Sequence, residues 1–261
     1  MITLINNKFY EKKDAKINVH SSGFMRGYGV FETLRTHGNK KFYYLDDHLE
    51  RLFRSAKKIH LEIRYSKLDI IKMLNKVVKK SKFKIQRIKI VCVEEGVIIT
   101  STKAKINEEI YKGVKVMSIE KMRSLPEIKS LSYLSSYISH EEAVKNGFFE
   151  GILIDDKEEV YEGAYSNLFW FEGNTLCTRE KDVLPGITRK AVIELSPYKI
   201  KYKKINLRKL QKKDEIFITQ SVNGIIPVIK INKTKIGNGR VGKRTNEIME
   251  LYKAACISNN S

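Results

Sequence analysis

Lys129 lies in P-E-I-K-S-L-S-Y-L-S-S-Y at 126–137, flanked by Ile128, Leu131, Tyr133 and Leu134. Two readings are open for a lysine so placed. Its stem can cover apolar surface while its ammonium stays in water, or its amine can be kept dry and act as a nucleophile toward a carbonyl. Four other stretches carry chemistry. In V-L-P-G-I-T-R at 183–189, Pro185-Gly186 breaks the chain and Thr188 opens an amphipathic run of Ile187, Ala191, Val192 and Leu195. A helix starting there aims backbone N–H groups and the positive end of its dipole at whatever precedes it, which suits a phosphate, although many helices without a ligand start this way. In V-Y-E-G-A-Y-S-N-L-F at 160–169, Glu162 closes an apolar strand, Gly163 turns and Asn167 enters the next strand. Such a carboxylate is either an ordinary turn acid or the buried partner of a protonated ring nitrogen. H-L-E-R-L at 48–52 sets Arg51 three residues after His48 on one helix flank, which by itself reads as an exposed arginine. T-Q-S-V-N-G at 219–224 follows an apolar strand with small hydroxyl residues and a glycine, a turn suited to an anion.

These residues need a scaffold, and the hydrophobic pattern predicts one. Short strands are expected at 2–10 and 15–19, and a longer strand at 28–36 followed by a hairpin turn at H-G-N-K into a strand at 41–45. Asp46 and Asp47 are placed to cap a helix with the stripe Leu49, Leu52, Phe53, Ala56 and Ile59. A second amphipathic helix fits 66–80, and a strand pair fits 85–93 and 97–103. Beyond a strand at 114–119 and an irregular connector at 122–128, a helix is expected from near Ser130 to before Gly147. Strands then fit 151–155, 159–162, 167–171 and 175–178, with a helix at 187–195, strands at 215–219 and 225–230 and a final helix at 241–256. The boundary between two α+β lobes falls near residue 120, giving 1–119 and 120–261.

Composition narrows the function. With 261 residues, 42% hydrophobic, the chain can build one large domain or two modest ones. No apolar run reaches the length of a membrane span, and M-I-T-L-I-N-N-K-F-Y lacks the pattern of a secretory signal. Cys92, Cys177 and Cys256 are odd in number and share no CxxC spacing, which argues against a disulfide framework and a zinc site and for a reducing cytoplasm. The net charge of +20 raises a basic nucleic-acid-binding module as an alternative. Lysines and arginines are, however, spread along the whole length with acidic residues between them, a pattern that draws small anionic ligands more than it reads nucleic acid.

Taken together, F-E-T-L-R at 31–35, H-L-E-R-L-x-x-S-A at 48–56, E-I-K-S-L-S-Y-L at 127–134, E-G-x-x-S-N-L-F at 162–169 and L-P-G-I-T-R at 184–189 resemble the class IV pyridoxal-phosphate enzymes. That family holds branched-chain aminotransferases, D-amino-acid aminotransferases and aminodeoxychorismate lyases. The resemblance runs from residue 20 to residue 230, in the family's order. It implies an α+β fold-type IV architecture, with a small N-terminal lobe, a larger C-terminal lobe with a mixed barrel-like sheet, and pyridoxal 5'-phosphate between them. It also implies residue roles. Lys129 forms the Schiff base, Glu162 pairs with the pyridine nitrogen, and Arg51 binds the phosphate with Ile187, Thr188, Ser221 and the adjoining Val222. Tyr133 meets the cofactor's 3'-oxygen, and Asn167 supports the same wall. Arg26, Phe31 and Arg87 are the substrate-side candidates. The expected activity is amino transfer between an amino acid and a 2-oxo acid, with aminodeoxychorismate lyase as the alternative, in a homodimer. Two features bear on the substrate. The stretch E-E-G-V-I-I-T-S-T-K lacks the R-x-H element of the D-amino-acid enzymes, and Glu95-Gly96 stands where many lyases carry an arginine-glycine pair.

Overall fold

The computed structural model describes residues 1–258. They form two compact units. One takes residues 1–105, the short segment 128–132, and Cys256 with the two residues after it; the other takes 106–127 and 133–255.

The first unit is built on an antiparallel sheet of β1 (Ile2–Ile5), β2 (Lys8–Tyr10), β3 (Val30–Arg35), β4 (Gln86–Val93) and β5 (Gly96–Lys103), in the order β2-β1-β5-β4-β3. Alternation in V-F-E-T-L-R turns Val30, Glu32 and Leu34 into the core and leaves Phe31, Thr33 and Arg35 on the other face. A short helix, α1 (Ser22–Arg26), precedes β3 and ends on Gly27 at φ 64°. α2 (Leu45–Lys58) and α3 (Lys67–Lys80) cover the core face with Leu49, Leu52 and Ala56 and with Ile70, Met73 and Leu74. Ser66 and Asp69 close a capping box at the start of α3.

Four expectations change here. Residues 15–19 form no strand: turn bonds from Ala15 N–H to Glu11 and from Lys16 N–H to Asp14 occupy that backbone, and β2 stays an edge strand. The strand at 41–45 is replaced by a one-turn 3-10 helix at Gly38–Lys40 and a lone bridge between Thr36 and Phe42. β4 pairs with the full length of β3 on one edge and residues 129–131 take only the 29–31 end of the other; the would-be strand is cut short because the chain turns at Tyr44 into α2. Asp46 and Asp47 do not cap α2. Its N-cap is Tyr44, in the left-handed region at φ 55°, and the two aspartates lie in the first turn, where they complement the dipole. The helix expected from Ser130 begins only at Leu134, because Ser130 is held in the bridge to Val30.

The second unit is one curled mixed sheet with helices against it. Its strands are β6 (Val114–Glu120), β7 (Glu150–Ile154), β8 (Glu159–Gly163), β9 (Asn167–Glu172), β10 (Thr175–Thr178), β11 (Lys199–Tyr202), β12 (Ile205–Asn206), β13 (Ile216–Gln220), β14 (Gly224–Ile231) and β15 (Thr234–Lys235). They run in the order β11-β10-β9-β13-β14-β6-β7-β8-β12, with β15 beside β14. Parallel pairs join β10 to β11, β14 to β6 and β6 to β7; the rest are antiparallel. α4 (Leu134–Lys145) packs on β7 and α5 (Ile187–Leu195) on β13; β7 and β9 are buried along their length, and G-I-L-I and L-F-W-F are continuous apolar runs rather than alternating ones. α6 (Leu207–Leu210) follows β12, and α7 (Lys243–Ser258) closes the described chain. Strands β11, β12 and β15 were not expected. They are short, and two of the four residues of K-I-K-Y in β11 are lysines.

Candidate active site

Lys129 is fixed by backbone pairing before its side chain is considered. Phe31 N–H donates to Lys129 O at 2.9 Å, Leu131 N–H donates to Gly29 O at 2.9 Å, and Ser130 bridges Val30. The segment is a fragment of strand on the edge of β3. Ser132 adds a hydroxyl bond to Gly27 O at 3.1 Å. So held, the Lys129 ammonium sits 4.7 Å from the Phe31 ring centroid, and Lys89 approaches the same ring at 4.6 Å. Lys129 is thus neither fully in water nor fully dry. The residue is half-buried and its head rests on an aromatic face.

Behind Phe31, on the core face of β3, lies a buried charge cluster. Arg51 Nε and Nη2 donate to Glu32 Oε1 and Oε2 at 2.7 and 2.8 Å, and His48 Nδ1 lies 2.8 Å from Glu32 Oε2. Burial alone would raise the Glu32 carboxyl; the Arg51 and His48 charges and hydrogen bonds overcome it and hold it far below the usual range. His48 is pushed down, first by burial and then by the charges of Arg51 and Lys129, against an upward pull from Glu32. Arg51 therefore has a fixed guanidinium plane, with two of its nitrogens tied to one carboxylate.

The opposite face of the same sheet is cationic. Arg35 and Arg87 are directly opposed across β3 and β4, and Lys89 is the next residue on that face of β4. Like charges so placed repel. Arg35 Nε is buried without a hydrogen-bond partner, and burial together with Arg87 lowers the Lys89 pKa. Arg26 ends α1 with its side chain exposed.

The second unit holds the other predicted residues. Glu162, 3% exposed, ends β8. Its Oε1 accepts from Arg123 Nη1 at 2.7 Å; its Oε2 accepts from Asn167 Nδ2 at 3.1 Å and Leu184 N–H at 2.9 Å. Asn167 also donates to Leu184 O at 2.8 Å, locking the approach to α5. A Cβ on Gly186 would stand 1.9 Å from Asn167 Oδ1, so only glycine fits there. Gly186 is the N-cap of α5 and has no capping side chain, and Ile187 and Thr188 make the first turn. Ser221 and Val222 lie in the turn between β13 and β14. Two neighbours in that region, Thr219 Oγ1 and Asn223 Oδ1, are buried without a hydrogen-bond partner. Tyr133 is the N-cap residue of α4.

Pyridoxal phosphate fits these residues. The orphaned polar atoms of Thr219 and Asn223, the uncapped helix start at Gly186 and a buried carboxylate fixed on three donors are groups that a phosphate and a protonated ring would satisfy.

Glu32 and His48 were not singled out from the sequence as site residues, nor was Arg123. The first two left a signal: Glu32 occupies a core-facing strand position between Val30 and Leu34, and His48 and Arg51 share a helix flank. Arg123 sits in the irregular connector and left none.

The fold agrees with known proteins. Amino-transferase class IV matches residues 29–231, and the chain belongs to that family. It is 32% identical to an aminodeoxychorismate lyase of Bacillus subtilis, over 95% of this chain and 92% of that protein. It is 30% identical to a putative branched-chain-amino-acid aminotransferase of Methanocaldococcus jannaschii, over 95% and 94%. The solved branched-chain aminotransferase of Thermoproteus uzoniensis with norvaline superposes with a TM-score of 0.91 at 26% identity, covering 99% of this chain and 95% of that one. The protein is an enzyme of the aminotransferase–lyase group, and its cofactor is pyridoxal phosphate. Among the described residues no helix is long and apolar enough to cross a membrane.

Proposed function

We propose that the chain is an aminotransferase that moves an amino group between an amino acid and a 2-oxo acid, with Lys129 as its catalytic residue. The observation that carries this reading is the placement of Lys129, strand-paired to β3 with its ammonium over Phe31. Pyridoxal phosphate, when bound, supplies an aldehyde for amine chemistry and a ring that takes up the electrons left as the Cα–H bond breaks. Lys129 Nζ removes the Cα proton and returns it. Glu162 holds the proton at the ring nitrogen, and Arg123 and Leu184 N–H keep its carboxylate aimed. Arg51, Thr188, Ser221 and the N–H groups at Ile187 and Val222 take the phosphate, while the Tyr133 hydroxyl binds the 3'-oxygen and Asn167 supports Glu162. Arg87, with Arg35 and Lys89 beside it, suits an anionic substrate, because a carboxylate relieves the repulsion on that face. Arg26 and Phe31 complete the substrate side. The reading includes two copies of the chain assembled through exposed Phe24 and Met25, and a reducing cytoplasm in keeping with three free buried cysteines.

The second reading is aminodeoxychorismate lyase, favoured by the Bacillus relative. There the same proton removal by Lys129 leads to loss of pyruvate and formation of 4-aminobenzoate.

Lys129→Ala tests the shared chemistry. The variant should fold, lose the visible band of the lysine-linked cofactor and lose turnover; an unchanged band would assign the link to another lysine. Parallel assays, one with amino acids plus 2-oxoglutarate or pyruvate and one with aminodeoxychorismate, separate the reactions. Amino transfer in the first supports the proposal, and turnover confined to the second replaces it with the lyase.

A further inference from the structure

A second carboxylate is buried on the strand next to Glu162. Glu150, 1% exposed, opens β7, and β8 runs antiparallel beside it. Its Oε1 accepts the Tyr165 N–H in a short bond and its Oε2 accepts the Ser166 hydroxyl at 2.9 Å. Among the described residues no lysine or arginine bridges it. Both partners lie in the turn at 163–166, which has Glu162 before it and Asn167 after it. The turn is tight: Gly163 N–H donates to Ser166 O at 2.8 Å, and Ala164 N–H donates to Gly151 O at 2.8 Å. A Cβ on Gly163 would stand 2.1 Å from Ser166 Oγ and 3.1 Å from the Glu150 carboxyl, so the approach depends on glycine. The bonds that shape the turn between Glu162 and Asn167 thus end on β7 or within the turn itself, beside the direct Asn167–Glu162 bond and the bonds both make to Leu184.

We propose that Glu150 is a positioning residue for the Glu162–Asn167 pair, gripping the turn that joins them from beneath. The inference rests on reading Glu162 as the partner of the ring nitrogen. Glu150 does not need a charge for this. Burial pushes its carboxyl up to about 7, against the bonds from Tyr165 and Ser166 and with the Glu162 charge adding to the rise. A carboxyl often protonated near neutrality holds the turn by accepting and sharing hydrogen bonds, and an amide of the same shape can do the same.

The test uses the cofactor-loaded enzyme and the protein stripped of cofactor, with a thermal midpoint taken for every variant. Glu150→Ala should lower kcat about tenfold with KM nearly unchanged, and weaken pyridoxal-phosphate binding to the stripped protein about tenfold. Glu150→Gln should restore both to within about threefold of wild type. Ser166→Ala, which removes one of the two bonds, should move both in the same direction by about threefold, and it decides the matter if Glu150→Ala does not fold. Wild-type kcat and cofactor affinity in folded Glu150→Ala, or in Ser166→Ala, overturn the proposal. So does a Glu150→Gln variant as impaired as Glu150→Ala, since the charge would then be the active property. Glu162→Gln is run in parallel. Normal rates there overturn the ring-partner reading itself, whereas a slow Glu162→Gln beside a normal Glu150→Ala overturns only the positioning role.

Discussion

Glu32 and Glu162 are both buried carboxylates facing an arginine, yet the two regions use the arrangement in opposite ways. At Glu32 the pair is closed. Both oxygens are engaged by Arg51, His48 adds a third contact, and Arg51 is 2% exposed. The carboxylate serves the arginine by fixing its plane. At Glu162 the pair is open. Arg123 meets one oxygen from a side chain 13% exposed, and the other oxygen takes a side-chain amide and a backbone N–H. There the arginine serves the carboxylate. A buried ion pair is weak evidence for stability in itself, but removing one member strands the other, and the penalty depends on how dry the stranded charge is left.

That contrast can be broken by amide substitution. Glu32→Gln leaves the Arg51 guanidinium buried against a neutral group whose NH2 opposes its own donors. The expected loss is about 3–5 kcal/mol of folding free energy, read as a shift in the urea midpoint. Glu162→Gln strands a wetter arginine and should cost about 1–2 kcal/mol of stability, while under the role proposed for Glu162 kcat should fall about a hundredfold, since a neutral amide holds a ring-nitrogen proton poorly. Equal stability losses in the two variants, with turnover unchanged in the second, would erase the distinction between a carboxylate that fixes a neighbour and one that meets the cofactor.

How much of this could be read beforehand follows from where the information lies. Local pattern was enough for α3, whose Ser66 cap and apolar stripe are encoded within fifteen residues, and for α5, whose bounds match the expected 187–195. Pattern failed at 41–45, where K-F-Y-Y-L has strand propensity but Tyr44 takes a left-handed conformation that starts α2. It failed again at Ser130, where a helical reading lost to pairing with Val30. The second miss is tertiary competition for backbone groups, which no window of local sequence contains. The candidate site divides the same way. Lys129 drew attention as a type out of place among apolar neighbours and Glu162 as a carboxylate at a strand end, whereas Arg51 was raised only by the family resemblance. Arg123 was not legible, because its meaning comes only from the carboxylate it meets 39 residues away.

Glu150 extends the comparison to a carboxylate with no arginine, and the sign of its pH dependence separates it from Glu32. Its folded-state carboxyl is raised from 4.5 to about 7. Between those values the native protein binds more protons at this site than the unfolded chain does, so stability falls as pH rises through the folded value. Glu32 is depressed, so its contribution is present above the unfolded carboxylate value and is lost only as pH falls toward strong acid. Glu150→Gln removes the titration and keeps the shape. Urea unfolding of wild type and variant at pH 5 and pH 8 should therefore diverge, with the variant gaining about 2 kcal/mol relative to wild type at the higher pH. Parallel curves would mean that Glu150 stays ionised when buried. The bonds from Tyr165 and Ser166 would then stabilise its charge as fully as Arg51 stabilises that of Glu32, and a cation would not be what distinguishes the buried carboxylates of this fold.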